Sequence, residues 1–119
     1  MKPYLVELTA LAVKDLKRLS TIEEEITGHL WELKTNPEKG HGLSQNLQGV
    51  RALEFSIKGS GDYRAAYVVQ EEEQKVTVFL VGPHENFYDE AARRVKLLKN
   101  LLKKVREANR EKGRKKPTP

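Results

Sequence analysis

The sequence contains no cysteine, which removes disulfides, thiol nucleophiles and thiolate zinc sites from consideration. It has no run approaching the roughly 18 apolar residues that cross a bilayer. No apolar leader precedes Tyr4, so a cytoplasmic location without membrane contact is expected. Aromatic residues make up only 7% of the chain, with a single tryptophan, and no internal repeat is present. Acidic residues are scarce in one place above all. Residues 91–119 hold 12 Lys or Arg against Glu107 and Glu111 alone, a net +10, whereas residues 1–90 carry 10 basic and 15 acidic side chains, a net −5. The basicity belongs to the C-terminal segment, where it attracts phosphate backbones and acidic partners in a salt-dependent way or forms a solvated helix face.

What is present suits one globular domain. The 119 residues are 38% hydrophobic and 33% charged, enough to bury roughly two-thirds of the unfolded surface. Tyr4 to Leu8 is short and β-prone. Val13, Leu16 and Leu19 recur at helical spacing, and Ile22, Ile26, Leu30 and Leu33 do so again, ending at Asn36-Pro37. Thr21 and Glu24 stand at capping-box spacing. These two helices form an αα-hairpin joined at Ser20. The segment 37–49, with three of its glycines, reads as a loop. Strands follow at 50–57, 63–69 and 75–81, separated by short polar turns that imply antiparallel hairpins. Leu53, Phe55 and Ile57 fall on the inner face. A final helix is expected from Asn86 to about Lys112, striped by Tyr88, Ala92, Val95, Leu98, Leu102 and Val105. At roughly 40 Å it would overhang so small a body. The expected fold class is α+β: an N-terminal strand and αα-hairpin packed on a small antiparallel sheet, with a long C-terminal helix. Residues 1–112 form the domain and 113–119 a basic disordered tail.

The residues able to carry chemistry gather between Tyr63 and Tyr88. Arg64 opens a central strand after a Gly-rich turn. Its planar fork either meets a phosphate gaining charge in a transition state or closes a structural ion pair with Asp62, Glu54 or a helix carboxylate. His84, Glu85, Tyr88 and Asp89 stand where the last strand hands over to the final helix. A histidine there is suited to proton transfer in phosphodiester cleavage. On spacing alone Tyr88 reads as a core aromatic, and Glu85 as a carboxylate favourable to a helix N-terminus. No second histidine stands at ligand spacing, so neither a metal nor another cofactor is expected. Arg51 and Lys58 either flank a bound backbone or are solvated charges. Trp31 is expected to pack, and His29 and His41 are too isolated to assign.

The stretches Gly61-Asp62-Tyr63-Arg64-Ala65-Ala66-Tyr67, Lys75 to Val81, and Val81-Gly82-Pro83-His84-Glu85-Asn86-Phe87-Tyr88 together resemble the RelE/ParE toxin superfamily. The N-terminal strand, the helical hairpin and Leu43 to Gly49 follow the same layout, so the resemblance spans about residues 3–98. It implies the toxin of a type II toxin–antitoxin pair, neutralised by an antitoxin that wraps its surface and through which it can oligomerise. In the RelE-like branch it implies metal-independent cleavage of mRNA on the ribosome, the 2′-hydroxyl attacking the adjacent phosphate to leave a 2′,3′-cyclic end. Arg64 then matches the arginine that stabilises the phosphorane, and Tyr88 the aromatic that stacks on a base or assists proton transfer. His84 falls at or beside a basic position.

The sequence also departs from that pattern. Closely spaced lysines are missing from the second strand, which offers Arg51, Glu54 and Lys58 instead. Glu54 is then either general base or ion-pair partner of Arg64. Glu85 replaces an arginine of some relatives. Arg51, Lys58, Arg93, Arg94 and Lys96 are the expected RNA-binding residues. Two other functions remain open: a ParE-like gyrase poison without catalysis, and a non-catalytic nucleic-acid-binding module using the basic segment 91–119.

Overall fold

A computed structural model describes residues 2–83 and 85–114, with residues 111–114 as helical backbone. The chain starts with strand β1 (Leu5–Leu8) and turns directly into helix α1 (Ala10–Arg18). Thr9 caps that helix by accepting the Ala12 N–H at 3.2 Å, which satisfies one of the donors a helix start leaves free. Helix α2 (Glu23–Trp31) follows and tightens into a 3-10 turn over Glu32–Lys34. Glu23, Glu24 and Glu25 occupy its first turn, where carboxylates suit the helix dipole. The expected αα-hairpin is therefore present, but its capping box is not. The cap position falls on Ile22, with no side-chain hydrogen bond, so Thr21 lies one residue too early to close the box.

The sheet has five strands in the order β1-β5-β4-β3-β2, where β2 is His41–Gly42, β3 Arg51–Ile57, β4 Gly61–Gln70 and β5 Lys75–Pro83. The hairpins β3–β4 and β4–β5 are antiparallel, as their short turns require. The sheet as a whole is mixed, because β1 runs parallel to β5, from Leu5 opposite Lys75 to Leu8 opposite Val78. Short turns dictate direction only for consecutive strands, and β1 is separated from β5 by most of the domain. Strand β2 lies within the segment that reads as a loop in sequence, because two residues are too few to show an alternation.

Helices cover both faces. Leu16, Ile26, Leu30 and Leu33 of the hairpin pack on Leu53, Phe55, Ile57, Tyr63, Tyr67, Val76 and Val78. On the opposite face Ala52, Ala66, Val68, Phe79 and Leu80 meet Phe87, Ala91, Leu102 and Val105. Strands β4 and β5 are thus buried from both sides, which explains their nearly unbroken apolar runs. The C-terminal segment is helical as expected but interrupted. Helix α3 (Phe87–Val95) passes through a 3-10 turn at Lys96–Leu98 into helix α4 (Lys99–Arg114). Its buried stripe is Phe87, Ala91, Arg94, Leu102 and Val105, one residue away from the expected stripe at its start, so Tyr88 lies outside the core. Glu107 to Arg110 are exposed, as an overhanging end would be. The expected tail at 113–119 lies outside the described residues from 115 onward. Among the described residues no helix is long and apolar enough to cross a membrane.

One close approach deep in the sheet is sensitive to a single methyl. Tyr67 is fully buried, and its hydroxyl accepts the Gly40 N–H at 2.9 Å. A Cβ on Gly40 would stand 2.5 Å from the Ala52 carbonyl oxygen and 2.8 Å from the Tyr67 hydroxyl. Gly40→Ala is therefore expected to lower unfolding free energy by about 1–3 kcal/mol. Tyr67→Phe should cost about 1 kcal/mol through the lost hydrogen bond. Urea denaturation checks both; a Gly40→Ala midpoint equal to wild type would refute the first.

Candidate active site

The site is assembled where three strands end beside α3. A tight turn over Lys58–Ser60 joins β3 to β4, held by the Ser60 N–H donating to the Ile57 carbonyl at 2.9 Å. Gly59 and Gly61 sit at φ +81° and +122°, a region that only glycine enters without strain. This turn sets Glu54 directly opposite Arg64, and Ser56 opposite Asp62. On its other side Arg64 is in register with Gly82 of β5. Gly82 has open space where a side chain would be, so nothing from β5 covers the arginine.

The Arg64 side chain is only 13% exposed, and its Nη2 lies 2.8 Å from the Glu54 carboxylate, which is 51% exposed. Its Nη1 is buried without a hydrogen-bond partner among the described residues. The Tyr88 ring lies 5.1 Å from the guanidinium carbon, within cation–π range. Tyr88 is itself 40% exposed. It is steadied edge-on by Phe87, at 5.5 Å and 88°, and Phe87 is anchored in the core. Asn86 precedes the pair in a left-handed conformation, φ 56°, and starts α3 so that Phe87 points in and Tyr88 outward. Alongside, Ser56 donates to the Asp62 carboxylate at 2.6 Å. The cluster thus brings together a largely buried guanidinium, a half-exposed carboxylate and an exposed aromatic face. That combination can hold a phosphate, accept a proton and stack on a base.

The other expected site residues disperse. His84 lies outside the described residues. Lys58 is exposed in the turn, and Lys96 is exposed after α3. Arg93 is exposed and paired with Glu90 at 3.0 Å. One position needs correction. Arg94 does not face a nucleic acid: it is buried, its fork closed on Asp15 at 2.6 and 2.9 Å. The same side chain also donates to the Phe79 carbonyl and to Glu90. Hydrogen bonding to Asp15 raises the Arg94 pKa above the ordinary arginine value, against desolvation, which lowers it. The stabilisation tied to that raised value is present at every pH below the arginine range, so it adds no pH dependence near neutrality. Arg51 is half-buried and donates through Nη2 to the Glu38 and Gly40 carbonyls, while its Nε has no hydrogen-bond partner among the described residues. His29 stacks on Phe55 at 4.8 Å, and Trp31 is exposed beside Lys34. Asp15, Phe87 and Asn86 shape the site without having been singled out in sequence. Asp15 follows Lys14 in a charged stretch, so nothing local marks it as buried.

A family model for the ParE-like toxin of type II bacterial toxin–antitoxin systems matches residues 6–92. The chain belongs to the RelE/ParE toxin superfamily. Among solved structures, the RelBE2 toxin–antitoxin complex of Mycobacterium tuberculosis is similar at 25% identity and a TM-score of 0.62, over 71% of this chain and 94% of that one. A double mutant of the E. coli RelE toxin in the free state matches at 27% identity and a TM-score of 0.61, over 78% and 98%. The toxin in the intact E. coli RelBE complex matches at 26% and 0.54, over 69% and 98%. No curated protein matches at a significant level. The RelE/ParE assignment makes this chain a type II toxin, and the matched region carries β1 to β5 and the start of α3.

Proposed function

We propose that this toxin is a metal-independent endoribonuclease that cuts mRNA on the ribosome. The observation that carries the reading is the Arg64–Glu54–Tyr88 cluster, a guanidinium 2.8 Å from a half-exposed carboxylate and 5.1 Å from an exposed aromatic ring. A guanidinium fork suits a phosphate gaining charge, and the half-exposed Glu54 carboxylate beside it suits a proton leaving the 2′-hydroxyl. In the reaction the 2′-hydroxyl attacks the adjacent phosphorus and its proton passes to Glu54. The bond from phosphorus to the 5′-oxygen breaks, and that oxygen takes up a proton, the step assigned to His84. Arg64 holds the phosphorane charge. Tyr88 stacks on a neighbouring base splayed from the strand. The 2′-hydroxyl requirement restricts the substrate to RNA. The partners that go with this reading are ribosome, mRNA and a cognate antitoxin, the last supported by the RelBE complexes among the similar structures. Location in the cytoplasm and assembly through the antitoxin belong to the same reading.

The family model's ParE-like description favours gyrase poisoning as the second reading. Expression in cells with mapping of mRNA 5′ ends separates the two. Codon-phased cuts support the nuclease; intact mRNA with blocked supercoiling transfers the case to gyrase. Exposed Lys96, Lys99 and Lys103 are expected to add binding strength without chemistry. Their joint replacement by alanine should flatten the salt dependence of ribosome binding, by roughly 0.7–0.9 in log–log slope per charge that meets a phosphate. An unchanged slope in a filter-binding titration would place the RNA contact elsewhere.

A further inference from the structure

We propose that Asp15 and Arg94 are positioning residues for the Arg64–Tyr88 cluster, holding the strand edge and the helix from which that cluster is built. The kinetic part of this inference rests on the nuclease reading; the geometric part does not. Strand β1 pairs with β5 only from Lys75 to Val78, because the chain leaves the sheet at Thr9 to form α1. Among the described residues, no strand covers the remainder of the β5 edge, up to Gly82 beside Arg64. Two side chains take that strand's place. Asp15 accepts the Val81 N–H at 3.0 Å, and Arg94 donates to the Phe79 carbonyl at 2.9 Å. They are joined to each other through both Asp15 oxygens.

The same pair orients α3. Arg94 sits in its last turn, with Nε donating to Glu90 one turn earlier at 3.0 Å. Tyr88 occupies its first turn. Val81 immediately precedes Gly82, the register partner of Arg64. A shift at the Asp15–Arg94 pair is therefore transmitted to both members of the cluster: to Arg64 through the strand, and to Tyr88 through the helix. Burial alone does not call for this arrangement, since packed aliphatic side chains fill such a space at least as well. What a bidentate fork with fixed backbone acceptors adds is direction.

The test uses full-length protein, with Asp15→Asn and Arg94→Lys as variants. The first keeps shape and an acceptor for Val81; the second keeps charge and loses the fork. Melting curves establish that each is folded at the assay temperature, and either variant suffices for the decision. Single-turnover cleavage of a mixed-sequence mRNA on ribosomes is followed against toxin concentration. The maximal rate is expected to fall on the order of tenfold or more, as for misplacement at a distance from the chemistry, while the half-saturating concentration stays within about twofold. In parallel, the Arg64 guanidinium NMR signals, shifted by the Tyr88 ring, are expected to move toward their positions in Tyr88→Leu. A folded variant with wild-type maximal rate and unmoved Arg64 signals overturns the inference. If the wild-type protein cuts nothing, the nuclease reading fails and the Arg64 signals alone decide the positioning role.

Discussion

Arg64→Ala is expected to reduce mRNA cleavage by about 10²–10³-fold, the usual effect of removing one donor aimed at developing transition-state charge. Its melting temperature should stay within about 3 °C of wild type, a change of at most roughly 1 kcal/mol. The two halves of this result have separate causes. On the nuclease reading, activity depends on Arg64, the guanidinium that the described residues place in the cluster. Stability depends little on it, because Glu54 is half exposed and returns to water when its partner is gone. Removing Arg64 also removes a buried donor that has no partner among the described residues, which offsets part of any lost packing. Arg64→Lys should recover only a small part of the rate, since an ammonium keeps the charge but lacks the fork. Primer extension on ribosome-bound mRNA, run beside calorimetry, checks all three statements. Cleavage by Arg64→Ala at the wild-type rate would remove the arginine from the chemistry.

Asp15→Ala is expected to damage folding severely, costing about 3–5 kcal/mol. The change leaves a guanidinium buried without its carboxylate and strands the Val81 N–H, which Asp15 accepts at present. Marginal domains hold only about 5–15 kcal/mol in total, so a substantial part of the stability is at stake. Arg93→Ala, one position from Arg94, is the control. Arg93 is exposed and its ion pair with Glu90 lies at the surface, where such pairs contribute about 0–1 kcal/mol. Chemical denaturation of the two variants should therefore differ severalfold in effect. Equal effects would show that the Asp15–Arg94 pair is not supporting the fold.

The contrast between Arg93 and Arg94 shows where reading the chain in order reaches its limit. In sequence the two are adjacent basic residues in a basic helix, and both were candidates for RNA. Which of them faces inward depends on helix phase, and phase is read from apolar neighbours. Tyr88, Ala92 and Val95 suggest one phase; Phe87 and Ala91 set another, one residue away. The phase is settled by Asp15, far off in the chain, whose carboxylate gives Arg94 a buried partner.

By itself, the sequence determined the elements whose cause is local. The periodicity of Leu16 through Leu33 dictated the helical hairpin, and the Gly-rich and Glu-rich turns dictated the antiparallel β3–β4–β5 unit. The ordered motifs from Gly61 to Tyr88 were enough to point to the RelE/ParE superfamily. Only the tertiary structure decided what depends on contacts between distant segments. Those are the parallel docking of β1 on β5, the pairing of Glu54 rather than Asp62 with Arg64, the outward face of Tyr88, and the burial of Arg94. The physical reason is common to all four. Backbone periodicity and turn chemistry act over a few residues, whereas the partner of a strand edge or a buried charge is chosen by packing across the whole domain.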